Sequence, residues 1–299
     1  MKIAITGGSG FIGKWLLKDA CPENELLVLG RKLEMPIPNV PEQLCTYVQT
    51  DYSTSSLCEL LSGSDAVVHL AAERTGPNAL EAYLPNITIS NNVFESCFEV
   101  GVKNIIALSS ISVYSAENPL PWSENQRVMP QTFYGISKAT MENLACYYNA
   151  AKGLSIKCLR MARVLGLHER PGFMLNTFIE QASKKEVLKV FGRGEGRREY
   201  IYVKDVTGAI MNALEHIDAE GIFNIGTGNN LSHAEMALLI NKVFDNEGNV
   251  VYAPEIAEDK SIYLMNIEKA ARELSWTSKW TIEDGLREIK DDLTIENNH

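Results

Sequence analysis

The sequence of 299 residues has no uninterrupted apolar run near the ~18 residues a membrane helix needs, so no spanning helix is expected. Its start, MKIAITGGSGFIG, has one lysine and a short apolar run broken by glycines, without a cleavage-site pattern, so no signal peptide is expected. Basic residues are in deficit: 28 Lys and Arg against 38 Asp and Glu give a net charge of −10. Such a chain repels phosphate backbones, and its one dense basic stretch, Arg193 to Arg198, is too short for a nucleic-acid groove. The six cysteines, at 21, 45, 58, 97, 146 and 158, include no CxxC pair, and the five histidines are scattered, so no metal site is expected. The thiols read as free and buried, which places the protein in a reducing cytoplasm. No repeat or low-complexity tract is present.

What is present is ordinary globular material. A hydrophobic fraction of 45% and a length of 299 residues suffice for a large core without disulfides. Short apolar runs at 2–6, 26–29, 65–70, 103–108 and 155–160, with a weaker one at 45–48, alternate with helix-like stretches. These stretches lie at 11–20, near 54–62, and at 78–100, 134–152 and 203–216. Fully apolar runs such as Leu26 to Leu29 suit strands buried on both faces. The alternation predicts an α/β protein with a doubly wound parallel sheet of about seven strands and helices on both faces. Beyond about residue 165 the pattern loosens. The expected division is a dinucleotide-binding domain over 1–165 plus about 201–220, and a smaller mixed α/β lobe over about 166–200 and 222–299.

Three constellations carry chemistry. Gly7, Gly10 and Gly13, with Phe11 and Ile12 between the last two, follow the first strand and open the first helix. Glycines let the backbone approach a pyrophosphate closely, and the helix start offers it free N–H groups and a positive dipole end. The second strand ends at Gly30, where an NAD site usually places an acid for the ribose 2′-hydroxyl, and Arg31 and Lys32 follow instead. The cofactor is thus NADP or NAD, with the two cations favouring NADP. The third is Tyr134 and Lys138, four residues apart on one helix face, with Ser110 upstream. A nearby ammonium lowers a phenol's pKa, which would let Tyr134 exchange a proton with a substrate hydroxyl while Ser110 orients the oxygen.

With these residues in view, the chain resembles the extended short-chain dehydrogenase/reductases, and within them the NAD-dependent epimerase/dehydratase family of nucleotide-sugar enzymes. TGGSGFIG resembles the family's opening. Asp51 and Tyr52 resemble its adenine-contacting acidic position, and His69-Leu70-Ala71-Ala72 its stretch along the cofactor. The segment from Leu108 to Tyr114 resembles its SSxxVY, which puts the catalytic serine at Ser110, with Tyr134 and Lys138 as the catalytic pair. Segments 198–206 and 224–228 resemble RDFIYVDDV and NIGTG. The resemblance implies a nucleotide-diphosphate sugar between the lobes, with Arg198 on its pyrophosphate. It also implies a homodimer paired through helices 78–100 and 134–152, the second presenting Met141, Leu144, Ala145 and Tyr148 on one face.

The chain also departs from the family. Ile111 and Ser112 stand where the family's dehydratases carry acids, so a 4,6-dehydratase is not expected. Arg163 stands where epimerases often have Asn, at a position expected to contact the sugar. No arginine precedes residues 266–270 where a second pyrophosphate cation is usual, and Lys260 is the nearest substitute. The expected activity is a 4-epimerase or 4-ketoreductase of nucleotide sugars. The alternatives are a reductase of a ketone or aldehyde without a nucleotide, or a non-catalytic dinucleotide-binding protein.

Overall fold

The computed structural model describes the chain except residues 21–22, 33–43, 75, 171 and 298–299, and except the side chains of 296–297. Its strands are β1 (Lys2–Thr6), β2 (Glu25–Gly30), β3 (Cys45–Gln49), β4 (Ala66–His69), β5 (Asn104–Ser110), β6 (Ser155–Met161), β7 (Arg163–Leu165), β8 (Leu188–Phe191), β9 (Arg197–Tyr202), β10 (Gly221–Ile225), β11 (Asn230–Ser232) and β12 (Val250–Ala253). The helices are α1 (Phe11–Ala20), α2 (Thr54–Leu61), α3 (Leu80–Val100), α4 (Phe133–Lys152), α5 (Met174–Ser183), α6 (Val203–Glu215), α7 (His233–Val243), α8 (Glu268–Glu273) and α9 (Ile282–Asn297).

Seven strands form one parallel sheet in the order β10-β6-β5-β4-β1-β2-β3. Central strands carry nearly continuous apolar runs because helices cover both faces: Ala66, Val67 and Val68 of β4 are fully buried. The chain runs outward in both directions from β1 and β4, so a crevice opens beyond their carboxyl ends, where ligands of such sheets bind. A three-stranded sheet (β11-β9-β7) and a parallel pair (β12-β8) build the smaller part.

The predicted boundary near residue 220 shifts. Gly221–Ile225, expected in the smaller lobe, pairs with β6 as the seventh strand of the large sheet. α6 packs against α1.

α4 begins at Thr132, whose hydroxyl accepts from the Gly135 N–H, and ends at Gly153 in the left-handed conformation, φ 67°. The face expected for subunit pairing lies inside the protomer. Met141, Ala145 and Tyr148 are buried with Val93, Phe94 and Cys97 of α3, and Tyr148 donates to Glu95 at 2.6 Å. Helical spacing gave the stripe, and α3 of the same chain covers it. One turn beyond Lys138, Glu142 forms a buried ion pair with Arg160 of β6: Nη2 to Oε2 is 2.7 Å and Nε to Oε1 is 2.9 Å. Ser109 donates to the same carboxylate at 2.5 Å, and Arg160 donates to the Tyr114 hydroxyl at 2.7 Å. The cysteines depart in part from expectation: Cys45, Cys97 and Cys158 are buried, Cys58 is half-buried and Cys146 is exposed, none of them in a disulfide, while Cys21 lies outside the described residues.

Candidate active site

A cleft of about 610 Å³ lies at the carboxyl ends of β1, β4, β5 and β6, walled on the other side by β7, α5 and β9. Gly7, Gly10, Phe11, Ile12 and Gly13 form one end. Gly7 has φ 72°, and a Cβ there would stand 2.7 Å from the Ala71 nitrogen. A Cβ on Gly13 would stand 2.5 Å from the Gly8 oxygen, so the loop and helix start can pack only with glycine there. On Gly10, by contrast, a Cβ meets only the Gly7 oxygen, at 3.2 Å, and the surrounding space is open. The Phe11 and Ile12 N–H groups at the start of α1 have no hydrogen-bond acceptor among the described residues. Open space over free N–H groups at a helix start fits a dinucleotide's pyrophosphate.

Leu70 and Ala72 also line the cleft, whereas Ala71 turns its N–H to Thr6 Oγ1 at 3.3 Å. His69 is buried between Thr6 (2.8 Å) and Ser90 (3.0 Å). Burial pushes its pKa down to about 3, so it is a neutral bridge between β1 and α3. Arg31 and Lys32 are exposed beyond β2, with no carboxylate partner among the described residues, and Lys32 borders a small hollow with Ser9 and Gly30. Asp51 lies outside the cleft lining, and hydrogen bonds from the Ser53 hydroxyl and then from the Ser53 N–H, at 2.8 Å, hold its pKa below the usual range. Tyr52 departs from its expected role. Its backbone is left-handed, φ 61°, its ring is buried, and its hydroxyl donates to the Leu29 carbonyl at 3.0 Å, so it serves the core.

Ser110, Tyr134 and Lys138 meet on the cleft floor, brought there by the end of β5 and the first turns of α4. Ser110 Oγ accepts from the Ser112 N–H at 3.1 Å. Lys138 Nζ donates to the Leu108 carbonyl at 2.6 Å and lies 6.0 Å from the centre of the Tyr134 ring. The electrostatics differ from the expectation that Lys138 holds the phenol down. Burial raises the Tyr134 pKa, opposed by the Arg74 guanidinium and by a hydrogen bond with Ser110. Burial also pushes Lys138 down to about 8. Two desolvated groups side by side each lean toward the neutral form.

Arg74 and Glu169 are residues that the sequence reading missed. They pair at 2.7 Å over the cleft, and Arg74 lies 5.0 Å from the Phe173 ring. The neighbouring pair Arg170–Glu73 stands at 3.9 Å. The available signal was position: Glu73 and Arg74 follow a central parallel strand, where cleft loops lie.

Arg163 and Arg198 both line the cleft. Arg198 pairs with Asp259 and lies over Tyr263 at 4.3 Å. Lys260 does not reach the cleft: it is exposed and paired with Glu195 at 2.5 Å. Among the described residues no helix is long and apolar enough to cross a membrane, and no group of three or more His, Cys, Asp or Glu is placed to hold a metal.

Comparison with known proteins gives the arrangement its context. A UDP-N-acetylglucosamine 4-epimerase from Bacillus cereus superposes with a TM-score of 0.89 at 32% identity, covering 98% of this chain and 96% of that one. An uncharacterised UDP-glucose epimerase of Bacillus subtilis is 28% identical, and the match covers 96% of each chain. A dTDP-4-dehydro-6-deoxyglucose reductase of Escherichia coli is 26% identical, again over 96% of each. The model of the NAD dependent epimerase/dehydratase family matches residues 3–226, and the chain belongs to that family.

Proposed function

We propose that this chain is an NAD(P)-dependent oxidoreductase acting at C4 of a nucleotide-diphosphate sugar, as a 4-epimerase or a 4-ketoreductase. The convergence of Ser110, Tyr134 and Lys138 on one cleft floor, between the glycine loop and Arg198, carries this reading. A bound nicotinamide supplies a hydride acceptor or donor at the sugar carbon and, when oxidised, a positive charge beside Tyr134. Tyr134 takes the C4 hydroxyl proton in oxidation and returns one in reduction. Ser110 orients the C4 oxygen, and Lys138 holds the cofactor ribose and adds positive charge near the phenol. Arg198 binds the diphosphate, to which a guanidinium is geometrically matched. Elimination of water is disfavoured, because Ile111 is packed into the core and Ser112 offers only a hydroxyl, hydrogen-bonded to Ser110. The similarity to the Bacillus cereus epimerase supports the substrate class.

Arg31 and Lys32, without a carboxylate partner among the described residues, favour NADP and thereby the reductase. Arg31→Ala is expected to weaken NADP binding roughly tenfold or more, a charged hydrogen bond being worth about 1.5–3 kcal/mol, with NAD little affected. Titration with each dinucleotide reads this, and equal losses would remove Arg31 from a 2′-phosphate site. Gly10→Asp would set a carboxylate where the pyrophosphate lies, and is expected to weaken both dinucleotides at least tenfold, by like-charge repulsion. Unchanged binding would move the pyrophosphate elsewhere.

The deciding experiment is to identify the dinucleotide released on denaturing the purified protein, followed by assay with UDP- and dTDP-sugars. Tightly held NAD with C4 inversion supports the epimerase. An empty site that binds NADPH and reduces a 4-keto sugar supports the reductase. Turnover of simple ketones alone, or of nothing, would leave the non-nucleotide or the non-catalytic reading. We further propose a homodimer paired through the outward faces of α3 and α4, where Leu84, Ile136 and Tyr147 are exposed. Light scattering would read it.

A further inference from the structure

The loop after β4 is fastened to the start of α4 at three points. Asn78 Oδ1 accepts from the Phe133 N–H at 3.0 Å. The Tyr83 hydroxyl donates to the Gly76 carbonyl at 2.8 Å, while its ring stands edge-on to that of Tyr134, 6.1 Å between centres. Asn86 of α3, buried, holds both polar groups of the Glu73 backbone: Oδ1 accepts from the N–H at 2.7 Å and Nδ2 donates to the carbonyl at 2.9 Å. The same Nδ2 reaches Ser137 Oγ at 3.3 Å, and that hydroxyl donates to the Tyr134 carbonyl at 2.8 Å. One buried amide thus ties the backbone just before Arg74 to the turn that carries Tyr134, and both side chains line the cleft.

The Arg74 guanidinium meets Glu169, which comes from the segment after β7, at 2.7 Å and 3.4 Å. The carboxylate is 6% exposed and the guanidinium side chain 33%. Burial raises the Tyr134 pKa; Arg74 is the largest influence against it, the Ser110 hydrogen bond the next, and Tyr83 and Glu169 push it further up. The other charged groups of the cleft lining, among the described residues, are Lys138, Arg163, Arg170, Arg198 and Glu199. Arg170 pairs with Glu73 and Arg198 with Asp259. Lys138 gives its ammonium to the Leu108 carbonyl at 2.6 Å, and burial inclines it toward the neutral form. A guanidinium keeps its charge under burial that neutralises an ammonium.

We propose that Arg74 is a positioning residue that acts through Tyr134, its guanidinium stabilising the phenolate that takes the hydroxyl proton, and that Glu169, reaching over from the far wall, sets how much of that charge Tyr134 feels. The two partners of one ion pair therefore act on the phenol with opposite signs. This rests on the reading of Tyr134 as the proton-exchanging group.

The test is the pH profile of nucleotide-sugar oxidation in the native, Arg74→Gln and Glu169→Gln chains, with thermal midpoints measured alongside. Arg74→Gln removes a cation, so the limb that rises with pH should move to higher pH. Glu169→Gln removes an anion and leaves Arg74 uncompensated, so the limb should move to lower pH. Each displacement should be about 0.5–1 pH unit, less than a fully buried pair would give, because Arg74 is one-third exposed. Arg74→Lys should keep the native midpoint, and the double variant should fall between the two singles. An ion pair that only holds the loops together would lower stability or turnover in both singles without moving the limbs apart. A second readout needs no turnover. In protein carrying Cζ-labelled tyrosine, the Tyr134 NMR signal, identified by its loss in Tyr134→Phe, is titrated through the ordinary phenol value of about 10, and the three chains should titrate in the same order. A Tyr134 signal that behaves alike in all three chains, or moves in one direction in both variants, overturns the assignment. Titration in the expected order with no nucleotide sugar turned over fails the proposed function instead, and leaves the placement of Arg74 standing.

Discussion

Tyr134→Phe is expected to lower turnover of a nucleotide sugar by about 10²–10⁴-fold, the share that general acid–base catalysis supplies. The substitution removes one oxygen and its proton. The ring keeps its edge contact with Tyr83, 6.1 Å between centres, and α4 keeps its cap. Fold and dinucleotide affinity should therefore persist, which separates a chemical loss from a structural one. The pH profile gives a second reading with a definite sign. Burial holds the phenol above its ordinary pKa, so oxidation of the hydroxyl, which needs Tyr134 unprotonated, should rise with pH. The reverse reduction, which needs the proton, should fall. Both limbs should vanish in Tyr134→Phe. Ser110→Ala should cost less, since water or Tyr134 can still bond the oxygen. Lys138→Met should cost both turnover and cofactor affinity. Near-full turnover in Tyr134→Phe would place the proton-transfer group elsewhere.

Glu142→Ala is expected to cost about 3–5 kcal/mol of stability, the usual consequence of removing one partner from a buried ion pair. Arg160 is 1% exposed and would keep only the Tyr114 hydroxyl, with its charge uncompensated. Denaturant unfolding at neutral pH measures the loss. Replacing both partners, Glu142→Leu with Arg160→Met, should recover much of it, because apolar packing can replace a buried pair once neither charge remains. A loss below about 1 kcal/mol in the single variant would mean that water reaches Arg160 without cost, contrary to its burial.

The large sheet was legible because strands buried on both faces carry nearly continuous apolar runs, as in Leu26 to Leu29. β10 was misplaced for a reason equally physical. Gly221–Ile225 pairs with β6 some 60 residues earlier, and nothing local in GIFNI names its partner. Tyr134 and Lys138 were legible from helical spacing, since both lie on one helix. Arg74 and Glu169 were not, because 95 residues separate them and only tertiary packing joins them. Arg163 was read as a site residue, but that it has no carboxylate partner among the described residues, unlike Arg74 and Arg198, emerges only once Glu169 and Asp259 are placed in space. The stripe on α4 shows the same limit: periodicity tells which side is apolar and not whether the cover comes from this chain or another.

The late seventh strand also shapes how the protein can be made. β10 enters the sheet only after β7, β8, β9 and α6 have been threaded elsewhere. At a synthesis rate of about 5–20 residues per second, the roughly 60 residues from β6 to β10 take about 3–12 s to emerge. During that interval β6, nearly all of which is buried in the finished sheet, is a border strand with a free row of N–H and C=O groups, the state in which one nascent chain can add to another.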